Sequence, residues 1–256
     1  MQVPILPAAR GARWLVEGFA IFRRKPALLC FLMLGYLLSM AVILSVPYVG
    51  RPASLVLVPA FSVSLMNACR LIDRKEAPLP NVLFSGFYRN PRPLLILGLI
   101  HFACWLAVFG FVTIFDGGVL FRLFMLGEAQ LLETFDQPAV LISRQITLVL
   151  FIPVLLAFWF APVLAAWHDM SAGKSLFFSL VAGLRNWRPF LLYALIVGLA
   201  GFVFLGFVGT LAASEAADRM LPTALTLAAS LALFSTLYAS FYVSYRDVFA
   251  GRPGSP

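Results

Sequence analysis

Six long runs of apolar residues, free of Asp, Glu, Lys and Arg, alternate with polar stretches along the chain. They cover residues 27–47, 53–69, 94–115, 146–167, 190–213 and 221–245. Most are close to the roughly 20 residues that a helix needs to cross about 30 Å of hydrocarbon. Because a bilayer core offers no water to bind backbone groups, each run is predicted to be a helix. The pattern therefore predicts six transmembrane helices.

The composition extends this interpretation to the whole chain. Hydrophobic residues make up 62% of the 256 residues and charged residues 12%, against roughly 45–50% and about 25% in soluble domains. Such a chain has too few charged side chains to cover a soluble surface. We therefore predict an all-α polytopic membrane bundle that forms one integral membrane domain over residues 1–256.

Basic residues lie mainly on one side of the predicted membrane. The N-terminal segment, the loops after spans two and four and the C-terminal tail hold most of the 19 Lys and Arg residues. The opposite side holds Arg51, Arg122, Arg144 and Arg219. By the positive-inside rule, both termini are expected in the cytoplasm of a bacterium, with the spans in its inner membrane. The net charge of +8 then favours contact with lipid headgroups over contact with nucleic acid.

A short amphipathic segment precedes the first, third and fifth spans. The apolar faces comprise Trp14, Leu15, Gly18, Phe19 and Phe22 in the first segment, Val82, Leu83, Gly86 and Phe87 in the second, and Leu176, Phe177, Leu180, Val181, Leu184 and Trp187 in the third. Polar residues lie opposite, with Arg13, Glu17 and Arg24 in the first segment and Ser175, Ser179 and Asn186 in the third. About three such helices are predicted to lie flat at the cytoplasmic headgroups.

Each amphipathic segment ends in a basic cluster, which a proline and a new span follow. The strings are FRRKPALL from Phe22, RNPRPLL from Arg89 and RNWRPFLL from Arg185. They predict a threefold internal repeat of interfacial helix, span and span, with units of about 8–72, 77–167 and 171–246. The alternative is a plain bundle, since Arg and Pro are common at helix starts.

The basic clusters supply candidates for contact with lipid headgroups. These are Arg23, Arg24, Arg89, Arg92, Arg185 and Arg188. An anionic membrane surface attracts each Lys or Arg by about 1 kcal/mol, screened within a Debye length. The alternative is that these arginines only fix the orientation of the spans.

Three strings resemble a family of uncharacterised proteobacterial six-span inner-membrane proteins. They are FAPVLAAWHDMSAGKSLFFSLVAGLRNWRPFLLY from Phe160, VPAFSVSLMNACRLIDRKEAPL from Val58 and SFYVSYRDVF from Ser240. More distantly, the layout is similar to the membrane domain of some glycerophosphodiester phosphodiesterases, whose hydrolase domain this chain lacks. The resemblance covers nearly the whole chain and implies no catalytic residues.

Polar residues within or beside the spans are few. His101 lies in the third span, Asn67 near the end of the second, and His168 and Asp169 at the boundary of the fourth. An intramembrane histidine is a functional candidate by default, although a hydrogen-bonded neutral imidazole in a helix contact is the competing interpretation. His168 and Asp169 could exchange a proton, but such a pair at a span boundary is also typical of an interfacial anchor and helix stop.

Prolines and glycines mark two further features of the spans. Pro59 in span two and Pro153 and Pro162 in span four each remove a backbone hydrogen bond, which favours either packing kinks or a substrate site at broken helices. Span five carries a stripe of small residues, comprising Gly198, Gly201, Gly206 and Gly209. That stripe predicts close helix packing, either with span six or with a second copy of the chain.

The distribution of polar groups predicts the class of function. Amphipathic helices and basic clusters outweigh polar groups within the spans, so a non-enzymatic structural or lipid-interacting envelope protein is the leading hypothesis. A small-solute or lipid transporter that uses the proline-broken spans two and four is the alternative. No cofactor or metal is expected, and Cys30, Cys69 and Cys104 are expected as buried thiols without a disulfide. The expected partners are membrane lipids, with a homo-oligomer or other envelope proteins as further candidates.

The orientation can be tested directly with a reporter fused after Pro256. Because most basic residues lie on the side of the termini, the reporter should be active in a cytoplasmic assay and silent in a periplasmic one. Activity of the periplasmic reporter would place both termini outside, given six spans.

Overall fold

A computed structural model describes residues 3–88, 90–213 and 220–250 of the chain. Its α-helices are α1 (Arg10–Phe22), α2 (Pro26–Leu44), α3 (Gly50–Asp73), α4 (Ser85–Tyr88), α5 (Pro91–Asp116), α6 (Val119–Phe121), α7 (Pro138–Trp167), α8 (Ala172–Arg185), α9 (Trp187–Ala213) and α10 (Met220–Tyr245). Short 3-10 helices cover Pro80–Phe84 and Ala129–Thr134, and π-helical turns cover Arg122–Leu126 and Arg246–Ala250. No strand occurs within these ranges, so the all-α class is confirmed.

Six helices, α2, α3, α5, α7, α9 and α10, are long and apolar enough to cross a membrane. The six predicted spans are therefore confirmed. The helices extend beyond the charge-free runs, most clearly α7, which begins at Pro138 rather than at residue 146. Proline is favourable in the first turn of a helix, and the long side chain of Arg144 can carry its charge out of the hydrocarbon.

The order of the helices agrees with the predicted order of a short helix followed by two spans, and the position of the short helices at the membrane interface stays a prediction. The helix α1 precedes α2 and α3, α4 precedes α5 and α7, and α8 precedes α9 and α10. In space the chain forms two compact units. The first contains the chain up to Tyr36, Ser64–Leu83 and the chain from Ala182 onward, and the second contains Leu37–Val63 and Phe84–Val181. That the three sequence units share one fold stays a prediction.

In the first unit, α1 packs against α9 and α10. Trp14 is fully buried there, with its ring edge-on to Phe190 at a centroid distance of 5.2 Å. Gly18 allows the close approach, since a Cβ at this position would lie 2.6 Å from the backbone nitrogen of Ser240. Gly11 serves α9 in the same way, because an added Cβ would collide with the carbonyl of Pro189. The helix α1 is thus an integral part of the bundle.

The polar residues predicted opposite the apolar face of α8, Ser175, Ser179 and Asn186, are buried against protein. On α1 the predicted polar residues are not buried in this way, since Arg13 is exposed and Glu17 is half-buried. On α8, Ser175 and Ser179 are fully buried, whereas Phe177 is 62% exposed. On α1, Arg10 is buried, whereas Val16 is 70% exposed. The physical reason is that hydrogen bonds and close backbone approach hold helices together in a membrane, where apolar side chains are equally well solvated by lipid.

In the second unit, α5 and α7 pack closely along small residues. Ala161, Ala165 and Ala166 of α7 are fully buried in one cluster with Leu97 of α5. Next to Leu97, Gly98 faces α3, where an added Cβ would lie 2.8 Å from the carbonyl carbon of Val56. Small residues therefore bring α3, α5 and α7 together.

The glycines of the fifth span do not form the predicted seam with span six. Among the described residues, no atom lies within 4 Å of a Cβ added at Gly198, Gly201, Gly206 or Gly209. A helix surface that faces lipid can consist of small residues at no cost in free energy. The periodicity of the glycines alone therefore did not distinguish a stripe that faces open space from one that packs against another helix. A seam with a second copy of the chain stays a prediction.

The two kinds of glycine should respond oppositely to alanine. Gly98→Ala forces the α3–α5 contact apart and should lower the free energy of unfolding by about 1–3 kcal/mol, as overpacking does elsewhere. Gly206→Ala meets open space and removes a poor helix former, so it should be neutral or stabilising by up to about 1 kcal/mol. Thermal unfolding of both variants in detergent measures the difference. A loss of stability confined to Gly206→Ala would show that this face is packed after all.

Candidate functional site

The most polar part of the first unit joins the start of α1 to the turn that follows α10. Asp247, in that turn, has a side chain only 3% exposed, and that of Arg10 is 6% exposed. The guanidinium of Arg10 binds Oδ2 of Asp247 through both Nε and Nη2. Trp14 donates its indole N–H to the same oxygen at 2.9 Å, and Arg10 Nη1 donates to Glu17 at 3.0 Å. The carboxylate of Asp247 therefore binds α1 at two successive turns.

A second set of ion pairs continues from Glu17. Arg246 donates to Glu17 with one Nη atom and to Oδ2 of Asp73 at 2.8 Å with the other. Tyr242 donates its hydroxyl to the same Asp73 oxygen at 3.1 Å. Arg24 donates to Oδ1 of Asp73 at 3.2 Å and to backbone carbonyls at the end of α3. These contacts link α1, α3 and α10 at one end of the unit.

We call Arg10, Glu17, Arg24, Asp73, Arg246 and Asp247 the charge cluster. Three guanidinium groups face three carboxylates within it, so every charge has an opposite partner. The charge cluster is not predicted from the sequence, where Arg10 and Arg246 count toward orientation and Arg24 also counts as a headgroup candidate. A signal was present, because Arg10, Trp14 and Glu17 recur at the spacing of one helical face. A charge that shares a face with a tryptophan indicates a buried polar contact.

His101 binds a backbone group that a proline leaves without its partner. Pro59 of α3 has no N–H, so the carbonyl of Leu55, four residues earlier, cannot form its helical hydrogen bond. His101 Nδ1 donates to that carbonyl at 3.1 Å, and Trp105 Nε1 donates to His101 Nε2 at 3.1 Å. The ring also packs on Phe158 at a centroid distance of 5.0 Å. His101 thus forms a hydrogen bond between two spans, α5 and α3, as its structural interpretation expects.

A hydroxyl of α8 enters the backbone ladder of α7. Ser179 Oγ donates to the carbonyl of Leu156 at 2.7 Å and accepts from the N–H of Phe160 at 2.9 Å. In an unbroken helix those two backbone groups would bind each other. The insertion lies two residues before Pro162, where the helix already lacks a donor. The proline-broken part of span four is therefore the place where α8 attaches.

The asparagines of the two R-N-x-R-P strings both bind backbone carbonyls. Asn90 Nδ2 donates at 2.8 Å to Ala165, whose carbonyl lies in the last turn of α7. Asn186 Nδ2 donates to Pro4 and Ala182, and its Oδ1 accepts from the N–H of Leu6 at 2.9 Å. Each asparagine thus fixes the start of the following span to another segment of its unit.

The other polar candidates occupy span boundaries. His168 follows the last residue of α7 and donates its backbone N–H to Leu164 at 3.2 Å. Asp169 has a positive φ of 50°, a conformation that ends a helix. Both side chains are exposed, and Asn67 is half-buried in α3. The proton-exchange hypothesis for His168 and Asp169 is not tested by this geometry.

The candidate headgroup arginines differ in what they contact. Arg23, Arg24, Arg92, Arg185 and Arg188 are exposed, and Arg24 also binds Asp73 in the charge cluster. Arg23 lies over the ring of Phe19 at 5.3 Å, and Arg188 lies over Trp187 at 5.5 Å. Arg89 lies outside the described residues.

Comparison with known proteins finds a relative that matches the full length of the chain. It is 36% identical over 265 residues to a protein of Burkholderia thailandensis that is named as a probable inner membrane protein. The alignment covers all of this chain and 97% of the relative. No family model and no solved structure matches the chain. The expected likeness to inner membrane proteins is confirmed, while the comparisons give no support to a link with glycerophosphodiester phosphodiesterases.

The charge cluster should dominate the stability of the first unit. Asp247→Ala leaves Arg10 buried without its main partner and should lower the free energy of unfolding by about 3–5 kcal/mol. Arg122→Gln is the control, because it breaks a half-exposed ion pair with Glu128 at 3.7 Å, which contributes about 0–1 kcal/mol. Hydrogen exchange of the α1 amides should accelerate in the Asp247 variant alone. Equal protection of α1 in both variants would contradict the assigned role of Asp247.

Proposed function

This chain belongs to the same family as the Burkholderia thailandensis inner membrane protein, and on that premise we propose a non-enzymatic, lipid-interacting structural role in the envelope. The observation that carries the proposal is the outward face of α1 and α8. On α8, Ser175 and Ser179 are buried whereas Phe177 is exposed. On α1, Val16 and Phe19 are exposed together with Arg13. Such a surface is stable only where lipid covers it.

The exposed face combines apolar side chains with arginines. On α1 it presents Val16 and Phe19, the latter beneath Arg23. At the junction of α8 and α9, Trp187 is 55% exposed and lies beside Arg188. Tryptophan and arginine together are typical of the layer between hydrocarbon and water, where the ring is apolar and the charge meets phosphate. This arrangement supports a site for anionic headgroups at the ends of α1 and α8.

The proposal includes an orientation with both termini in the cytoplasm. The cytoplasmic leaflet carries the negative surface potential that attracts basic segments next to the membrane. Arg23, Arg92, Arg185 and Arg188 are exposed in segments that the basic-residue distribution assigns to this side. Orientation and headgroup binding thus draw on the same charges.

The contacts at the prolines favour a structural role over transport. A transporter that uses broken spans two and four would present the freed backbone groups to its substrate. Here the Leu55 carbonyl freed by Pro59 is bound by His101, and the opened ladder of α7 is bound by Ser179. We therefore place transport second, as the alternative that a copurified solute would favour.

Removal of two arginines tests headgroup binding. With Arg185→Gln and Arg188→Gln combined, most basic residues remain, so the topology should be kept. Anionic lipid that copurifies with the protein should fall several-fold, since each arginine contributes about 1 kcal/mol at an anionic surface. Lipid mass spectrometry of the purified protein measures the change.

A charge-matched control separates binding from net charge. Arg74→Gln with Lys75→Gln removes two charges from an exposed turn after α3. This variant should retain anionic lipid at the level of the unmodified protein. Equal lipid loss in both double variants would show that Arg185 and Arg188 attract lipid only through the net charge of the protein. No loss in either variant would reject the proposed headgroup site.

A further inference from the structure

An apolar groove of about 610 Å³ lies in the second unit, between α2, α3 and the segment that leads to α5. Its first wall is formed by Leu38, Val42 and Ile43 of α2, and its second by Leu57 and Phe61 of α3. Phe84, Phe87 and Tyr88 close one end, and the hydroxyls of Ser39 and Tyr88 are the polar groups of the lining. The volume is in the range of cavities that hold small molecules, about 300–1,000 Å³.

Aromatic rings give the groove a fixed inner surface. Phe87 meets Phe61 edge-on at a centroid distance of 4.9 Å, and Phe84 lies 6.3 Å from Phe61 and 6.4 Å from Phe87. Edge-on contacts of this kind hold rings in place. The outer side is open, since Val42 is 70% exposed and Leu38 is 57% exposed. The groove is therefore preformed and reachable from the side of the helices.

The surroundings of the groove indicate what fills it. α2 and α3 are membrane-spanning helices, so the medium next to their open sides is hydrocarbon. Tyr88 is 82% exposed and ends α4, three positions before α5 begins at Pro91. Arg92 is exposed in the first turn of α5, at most about 13 Å along the chain from Tyr88. The backbone of a basic residue therefore lies within about 13 Å of that of Tyr88, which lines the groove.

We propose that this groove binds one acyl chain of a membrane phospholipid, whose phosphate lies toward Arg92. The inference rests on the proposed lipid-interacting function and assigns it a second, stoichiometric site. The open side of the groove lies between membrane-length helices, where acyl chains are the surrounding medium. A single flexible hydrocarbon chain matches both its volume and its lining, and the guanidinium complements the phosphate charge.

Native mass spectrometry of the full-length protein, purified in mild detergent, tests the site by counting bound phospholipids. Val42→Trp fills the groove from its open side at an exposed position, so folding should be retained. Val149→Trp is the matched control, because Val149 is 64% exposed on α7 and does not line the groove. The fraction of protein that carries one phospholipid should fall roughly tenfold in the first variant, which corresponds to about 1.4 kcal/mol, and stay unchanged in the second.

Leu57→Phe narrows the groove from α3 and provides a second test if the tryptophan variant does not fold, as judged by thermal unfolding. Arg92→Gln should shift the retained lipid from anionic to neutral headgroups when delipidated protein is mixed with equal amounts of phosphatidylglycerol and phosphatidylcholine. Equal lipid retention in Val42→Trp, Leu57→Phe and Val149→Trp would overturn the proposal. So would a wild-type protein that retains no phospholipid, or a retained molecule of another class.

The outcome is separable from the test of the proposed function. Loss of copurified anionic lipid in the Arg185 and Arg188 double variant, together with unchanged binding in Val42→Trp, would reject the groove and keep the proposed headgroup contacts. The reverse result would keep the groove and reject those contacts.

Discussion

The buried carboxylate of Asp247 is the constraint on which the first unit depends. In a bilayer, apolar surfaces gain little by leaving lipid for protein, so polar contacts and close backbone approach must hold helices together. Asp247 accepts three hydrogen bonds from Arg10 and Trp14, which offset the cost of burying both charges. With the start of α1 fixed in this way, Gly11 and Gly18 let the helix backbone approach α9 and α10. The ion pair fixes α1 to the turn after α10, and the absence of side chains at Gly11 and Gly18 allows the close helix contact.

In the second unit, polar side chains complete the backbone of neighbouring helices. Three side chains bind backbone groups of another helix: His101 binds the carbonyl freed by Pro59, Ser179 binds the N–H of Phe160 and the carbonyl of Leu156, and Asn90 binds the carbonyl of Ala165 in the last turn of α7. A backbone group without a hydrogen-bond partner is costly in hydrocarbon. A carbonyl that a proline frees in one span therefore needs a donor from another helix. The prolines of spans two and four, which the sequence also allows as part of a substrate site, therefore lie at contacts between helices.

The spans could be predicted from the sequence because an uncharged apolar run is a local property, and its length is fixed by the bilayer. The partners of each helix could not. Periodicity indicates that α8 has two faces, but whether Ser179 meets water or α7 depends on a helix that the pattern does not describe. The ion pair of Arg10 and Asp247 joins positions 237 residues apart. Glycine spacing failed for the same reason, since Gly206 faces open space while Gly98, in no obvious stripe, is the tightly packed one.

The ion pair between Arg10 and Asp247 also has a consequence for the order of folding during synthesis. The arginine leaves the ribosome first, and its carboxylate partner follows 237 residues later. At about 5–20 residues per second, the interval is roughly 12–50 s. Throughout that time, α1 has neither α10 nor its counter-ion, and its tryptophan has no acceptor. Until α10 has been synthesised, the nascent α1 must lie at the membrane surface, where lipid can contact its aromatic and basic residues. The first unit is complete only after α10 has been inserted.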